Sequence, residues 1–166
     1  LNKWKAACDF VATGRPDLQA IIAAGFASPL IEFTGHFGFM MSVWSRDSAV
    51  CKSSALLIGT SIWADHGAMF QPKDTHNAVA YRLGQTKVMP AFWDEVHIDP
   101  DKVDDFVDTL FTIGQGKEKA RLNADSTLKN SGEWKTLLVT TGNRPLMDFV
   151  VKGRPDTDAG ALRRCE

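Results

Sequence analysis

Cysteine is scarce in this chain, and its few positions do not suit a structural role. Cys8, Cys51 and Cys165 are far apart and form no C-x-x-C pair. This spacing argues against a disulfide framework or a cysteine zinc site, and it predicts a protein of the reducing cytoplasm. The histidines show no H-x-x-x-H spacing either, so the sequence predicts no histidine metal site.

Long apolar runs and an excess of one charge are also missing. No run reaches the roughly 18 apolar residues of a membrane span, so we expect no membrane partner. A formal net charge of -1 argues against a uniformly basic surface for nucleic acid, although a local basic stripe stays possible.

With 44% hydrophobic and 23% charged residues, the composition is typical of a globular protein. The length of 166 residues predicts one domain.

What the chain does contain is an alternation of short apolar runs with segments of helical periodicity. The predicted strands are 37–44, 91–94 and 134–143. The predicted helices are 1–12, 16–33, 52–64 and 99–114. Pro29 is expected to kink or end the second, and Asp99 to cap the last. This alternation favours a mostly parallel α/β sheet flanked by helices. Ligands of such sheets bind beyond the carboxyl ends of the strands, where polar clusters occur in this chain.

The first polar cluster, 45–54, resembles a phosphate-binding loop of the pattern G-x-x-x-x-G-K-[ST]. Lys52 and Ser53 stand in the right order, but Arg46 and Cys51 replace the two glycines. Backbone N–H groups of such a loop wrap the phosphates of a nucleotide, its lysine reaches the β- and γ-phosphates, and its hydroxyl binds Mg²⁺. The alternative is a surface lysine at a helix start. The candidate nucleotide-binding residues are Ser48, Ala49, Val50, Cys51, Lys52, Ser53 and Ser54.

The second cluster is an acidic pair, Asp94 and Glu95, at the end of an apolar strand. In nucleotide hydrolases of this architecture the aspartate holds Mg²⁺ and the glutamate polarises the attacking water. The alternative is a solvated acidic turn, which is a common feature of surfaces. Downstream of a Lys-Ser loop, the pair favours the catalytic interpretation.

The third cluster, "VTTGN", follows the last predicted strand. Asn143, or in second place Thr141, is a candidate to contact the γ-phosphate or the attacking water. An asparagine turn before Pro145 is the alternative.

The polar segment 117–135 carries spaced lysines and arginines. Lys117 and Arg121 are candidates to contact DNA or the nucleotide of a neighbouring subunit, and Arg144 is a further candidate for a phosphate contact. Acidic residues within the segment dilute its positive charge, so a solvated connector is the alternative.

The order of these motifs resembles the domain-of-unknown-function 927 family, the P-loop ATPase portion of phage, plasmid and prophage primase–helicase proteins. The resemblance covers residues 4–147 and rests on "AAGFASPLIEFTGHFGFMMSVW", "SRDSAVCKSSALLIGTSIW", "MPAFWDEVH", "IGQGKEKARLN" and "WKTLLVTTGN". It implies a RecA- or AAA+-like P-loop NTPase that uses ATP and Mg²⁺, assembles into a homo-oligomeric ring and moves on DNA, most simply single-stranded DNA. It also implies a piece of a longer replication protein, with a helical lead-in over 1–36 and a nucleotide-binding core over 37–150.

The resemblance implies a role for each matching residue. Lys52 would be the phosphate lysine, and Ser53 and Asp94 would be the metal ligands. Glu95 would be the catalytic glutamate, and Asn143 would be the sensor. Lys117 and Arg121 would make contacts across a subunit interface. Members of the family usually carry glycine before the lysine, so the side chain of Cys51 predicts weaker nucleotide binding. Three functions stay open: an ATP-driven DNA motor, a degenerate nucleotide-binding switch without unwinding activity, and a binding module without nucleotide chemistry.

Overall fold

The computed structural model describes residues 1–47, 49–71, 73–95, 103–119 and 132–153, with the backbone alone for 152 and 153. Along these residues the helices and strands are α1 (Asn2–Ala12), α2 (Pro16–Ala27), β1 (Gly38–Trp44), α3 (Lys52–Thr60), α4 (His76–Thr86), β2 (Ala91–Trp93), α5 (Val103–Gln115), β3 (Thr136–Gly142) and α6 (Leu146–Gly153). Two 3₁₀ segments, Ser28–Phe33 and His66–Ala68, complete the order. No helix within these residues is long and apolar enough to cross a membrane.

The described strands form a parallel three-stranded sheet in the order β1-β3-β2. The last of the described strands is therefore the central one, and six of its seven residues are buried. Trp44 pairs with Gly142, and Trp93 pairs with Thr140, so all three strands end at one edge of the sheet. The predicted parallel sheet flanked by helices is confirmed.

The two faces of the sheet carry two separate cores, because successive strand residues point to opposite faces. Phe92 and Val139 pack against α1, α2 and α3, together with the fully buried Leu56. Trp93 and Leu138 face the other way and pack against α4, α5 and α6. Burial of a large apolar side chain contributes about 1.5–3 kcal/mol. The predicted apolar stripe of α5 lies in this second core, whereas its predicted cap, Asp99, lies outside the described residues.

β1 differs from the buried strand that its apolar sequence predicts. It lies at the edge of the sheet, and Phe39 and Trp44 are 42% and 46% exposed. The interruption predicted at Pro29 is confirmed, since α2 stops at Ala27 and the chain continues as a 3₁₀ segment. Pro29 has no N–H for the carbonyl of Gly25. That carbonyl accepts instead from the Trp63 indole N–H, at 2.6 Å.

Helices α2 and α3 approach each other closely through two glycines. A Cβ on Gly59 would lie 2.9 Å from Phe92 Cζ and 3.4 Å from the Ile21 carbonyl oxygen. A Cβ on Gly25 would lie 3.0 Å from the Gly59 carbonyl oxygen. Distances near 3 Å are shorter than a Cβ atom normally makes, so glycine at both positions lets α3 lie close to α2 and to the sheet. The first turn of α3 is thereby held beside the ends of β2 and β3.

Candidate functional site

A cavity of about 320 Å³ opens at the edge of the sheet where the strands end. It collects residues from the three polar clusters of the sequence, which are far apart along the chain. The lining residues are Ala49, Val50, Cys51, Lys52, Ser53, Ser54, Asp94, Glu95, Thr141, Gly142 and Asn143. Ser48, the remaining candidate for nucleotide binding, lies outside the described residues.

The loop between β1 and α3 turns through left-handed backbone at two residues that are not glycine. Ser45 N donates to the Gly142 carbonyl at 3.2 Å and so prolongs the strand ladder by one residue. Ala49 then has a φ of 59° and Cys51 a φ of 64°. A residue with a Cβ in this conformation costs about 1–2 kcal/mol. Cys51 therefore occupies a glycine position and also adopts the backbone conformation that favours glycine.

Lys52 begins α3, and its ammonium group is held inside the loop. Its Nζ donates to the carbonyl oxygens of Ser45 and Asp47, both at 3.3 Å. Cys51 is the N-cap residue of α3, and its own carbonyl accepts from Ala55 N at 3.0 Å. The cysteine side chain makes no capping hydrogen bond. The positive end of the helix and the ammonium group thus face the same cavity, which suits an anion.

Asp94 is the centre of a hydrogen-bond network that links α3, β2 and β3. Its Oδ1 accepts from the Ser53 hydroxyl at 3.0 Å and from the Thr141 hydroxyl at 2.7 Å. Glu95 N donates to Thr141 Oγ1 at 3.4 Å. The sequence indicates Thr141 only as a second candidate for contacting phosphate or water, and it gives no sign of this contact with the acidic pair. The place of Thr141 beside Asp94 follows from the strand register.

Glu95 and Asn143 are both exposed polar residues at strand ends. Glu95 has a φ of 47°, which is uncommon for a residue with a side chain. Such conformations persist where the surrounding structure holds them, and they cluster at functional sites. Asn143 directly follows the central strand, so it lies between the loop after β1 and the acidic pair after β2.

The basic candidates do not line the cavity. Lys117 pairs with Glu133 at 3.5 Å, and both side chains are largely exposed. An exposed ion pair of this kind contributes little to stability, so it would yield readily to another anion. Arg144 is exposed beside Asn143 but is not a lining residue, and Arg121 lies outside the described residues.

The oxygen atoms of Ser53 and Asp94 are of the type that Mg²⁺ prefers as ligands. Within the described part of the chain, no group of three or more His, Cys, Asp or Glu side chains could hold a metal ion. Mg²⁺ does not need such a group, because it is commonly bound through one or two protein oxygens together with substrate phosphates and water. The hydroxyl and carboxylate at 3.0 Å therefore fit a magnesium ion that arrives with a nucleotide.

Comparison with known proteins adds a family to this geometry. The model of the family described as "Domain of unknown function (DUF927)" matches residues 1–133. The matched range includes the loop, α3 and the acidic pair, and it ends before β3 begins at Thr136. The comparison with curated proteins gave no match. Because the family model matches most of the chain, the chain belongs to the DUF927 family.

Proposed function

We propose that this chain binds ATP with Mg²⁺ and hydrolyses it, as the P-loop (RecA/AAA+-like) motor domain of a DNA helicase or primase–helicase from a mobile genetic element. One observation carries the enzymatic part of this proposal. Ser53 and Asp94 are 41 residues apart in the chain, yet their side chains meet at 3.0 Å beside Lys52. A helix-start hydroxyl that meets a strand-end carboxylate next to a lysine is the arrangement that metal-assisted phosphoryl transfer needs.

The loop and α3 would bind the triphosphate. The N-terminus of α3 and the backbone N–H groups around Cys51 provide partial positive charge for phosphate oxygens. Lys52 would exchange the Ser45 and Asp47 carbonyls for the β- and γ-phosphates, which are stronger acceptors because they are charged. Ser53 and Asp94 would hold the magnesium ion. When bound, this ion supplies the positive charge that neutralises the phosphate oxygens.

Glu95 and Asn143 would act on the attacking water. The carboxylate of Glu95 would accept a proton from that water as it attacks the γ-phosphorus, and ADP would leave with the bridging oxygen. Asn143 would contact the γ-phosphate or hold the water in line. Both residues line the same cavity as Lys52, which supports a common substrate.

The DNA-motor part of the proposal rests on the family resemblance. Under this proposal the protein assembles into a homo-oligomeric ring, works in the cytoplasm and moves on single-stranded DNA. Lys117 and Arg121 would contact DNA or complete the site of a neighbouring subunit, and Arg144 would be a further phosphate contact. Exposure of Lys117 and Arg144 is compatible with these roles.

A degenerate nucleotide-binding switch is the second candidate function, and the loop itself favours it. Cys51 bears the cost of a left-handed backbone that glycine would avoid. Lys52 is already bonded to two loop carbonyls, which must be released before it can bind phosphate. Both features weaken nucleotide binding without removing it, as a slow switch requires.

The test measures magnesium-dependent ATP binding and ATP hydrolysis by the complete protein, with and without single-stranded DNA. We would compare it with Lys52→Ala, Cys51→Gly and, as a matched control, Lys5→Ala on the exposed surface of α1. DNA-stimulated hydrolysis that only Lys52→Ala abolishes would support the motor. Activity in Cys51→Gly alone would support the degenerate switch. No ATP binding in any variant would overturn the proposal in favour of a binding module.

A further inference from the structure

Thr141 lies where the pairing of β2 with β3 stops. Trp93 and Thr140 are the last backbone pair of these strands. The next residues, Asp94 and Thr141, are joined by their side chains instead, with the hydroxyl donating to the carboxylate at 2.7 Å. Thr141 is only 2% exposed, so its hydroxyl has little access to water. A hydroxyl–carboxylate bond of this length, with a buried donor residue, is strong because its acceptor is charged.

The direction of every hydrogen bond at Thr141 is fixed. An ionised carboxylate only accepts, so the one hydroxyl proton of Thr141 goes to Asp94. A lone pair of the same oxygen then accepts from Glu95 N at 3.4 Å. One buried oxygen atom therefore holds the carboxylate of Asp94 and the backbone of Glu95 at once. It holds Glu95 where the chain turns through a φ of 47°.

The network also gives the two oxygens of Asp94 different roles. Oδ1 accepts from both Ser53 and Thr141, whereas Oδ2 accepts no hydrogen bond from the described residues. If the Ser53 hydroxyl turns to a magnesium ion, Thr141 is the donor that still fixes the carboxylate. The orientation of Oδ2 then depends on Thr141 alone among the described donors.

We propose that Thr141 is a positioning residue that couples the metal-holding Asp94 to the hydrolytic Glu95. This inference rests on the proposed ATPase function and adds to it. It differs from a direct contact with phosphate, because the Thr141 proton is already given to Asp94. Residues that orient a metal ligand typically change metal affinity or activity by about 10–100-fold when they are replaced.

Thr141→Val tests the inference, and Thr140→Val is its matched control. Valine keeps the branched shape and removes the hydroxyl. Thr140 is the preceding residue of the same strand, is 1% exposed, and its hydroxyl has no hydrogen-bond partner in the described structure. Both variants thus remove a buried threonine hydroxyl from β3, but only one hydroxyl touches the acidic pair. Thr141→Ser keeps the hydroxyl and serves as the rescue variant.

The measurements are ATP affinity of the complete protein in Mg²⁺ and in EDTA, and kcat with KM for hydrolysis. For Thr141→Val we expect unchanged affinity in EDTA, about 10–100-fold loss of the affinity gained from Mg²⁺, and a lower kcat. Thr140→Val should match the wild type. Thr141→Ser should keep the magnesium dependence, with at most a few-fold lower kcat because serine is less restricted at χ1 than threonine.

Three results would overturn the inference or its basis. Wild-type behaviour of Thr141→Val would overturn the positioning role. An equal loss of ATP affinity in EDTA and in Mg²⁺ would assign Thr141 to phosphate and also overturn it. Absence of magnesium-dependent ATP binding in the wild type would instead overturn the proposed function. If Thr141→Val does not fold, as judged by circular dichroism, Thr141→Ser decides, because weaker binding in EDTA would contradict a role through Asp94.

Discussion

Two regions of the molecule contain positions that favour glycine, but only one of them has glycine there. Where α2 crosses α3, the chain places glycine at Gly25 and Gly59, because a Cβ would collide with neighbouring atoms. In the loop after β1, the chain places Ala49 and Cys51 in backbone that favours glycine. In a packed core, the neighbouring atoms have little room to move away from an added Cβ. A left-handed φ, by contrast, costs a residue with a Cβ about 1–2 kcal/mol. Three of the four described non-glycine residues with positive φ, Ala49, Cys51 and Glu95, line the candidate site, and the fourth, Lys87, follows α4.

Among the substitutions that test this comparison, Gly59→Ala should change the free energy of unfolding the most. Helix propensity alone would make alanine stabilising by about 1 kcal/mol in α3. The new Cβ would lie 2.9 Å from the buried Phe92 ring, so we expect a net loss of about 1–3 kcal/mol instead. Urea unfolding measures the change. Stabilisation by Gly59→Ala would contradict the close approach of α3 to the sheet.

Cys51→Gly should act in the opposite direction. Relief of the left-handed backbone is partly offset by the greater freedom of glycine in the unfolded chain, so we expect a gain of about 0.5–1 kcal/mol. ATP affinity should rise several-fold if the bound loop keeps the same φ. Thermal unfolding and ATP titration provide the two readouts.

Gly14→Ala is the control for the cost of a positive φ without a collision. Gly14 has a φ of 72°, and a Cβ added there would meet no atom within 4 Å beyond its chain neighbours. We expect destabilisation of about 1 kcal/mol, close in size and opposite in sign to Cys51→Gly. If Gly14→Ala were neutral, the strain assigned to Cys51 would lose its support.

The smallest effect is expected from Trp63→Phe. This change removes the indole N–H that reaches the Gly25 carbonyl across α2 and α3, while it keeps an aromatic ring. Trp63 is about half exposed, so water partly replaces the lost donor, and the cost should be about 0.5 kcal/mol, the low end for a hydrogen bond. A loss as large as that of Gly59→Ala would mean that the hydrogen bond, rather than the glycine contact, holds the two helices together.

Much of the fold can be predicted from local patterns. Pro16 at the start of α2, the apolar run of β3 and the stripe of α5 follow known propensities, and each lies in the predicted element. Helix α4 is absent from the predicted elements, although Thr75 caps it by accepting from Ala78 N, and Val79, Ala80 and Leu83 form its buried face. A threonine followed by helical apolar spacing is the signal that the sequence offers for it.

The candidate site can be assembled from the sequence only as three separate clusters. That Ser53 meets Asp94 depends on the strand order β1-β3-β2, which no local pattern encodes. The link from Thr141 to Glu95 depends on where the β2 pairing ends, and the φ of Cys51 depends on the path of the whole loop. Residue types therefore predict chemistry, whereas register and backbone conformation decide which residues cooperate.

The central position of β3 has a consequence for the synthesis of the protein. β1 and β2 both pair with β3 and not with each other, so neither of these two strand ladders forms until β3 leaves the ribosome. At roughly 5–20 residues per second, the stretch from β1 to β3 takes several seconds to make. During that interval the apolar β1 lacks its described neighbour in the sheet. The cavity at the strand ends, which draws residues from all three of them, forms only after β3 has been made.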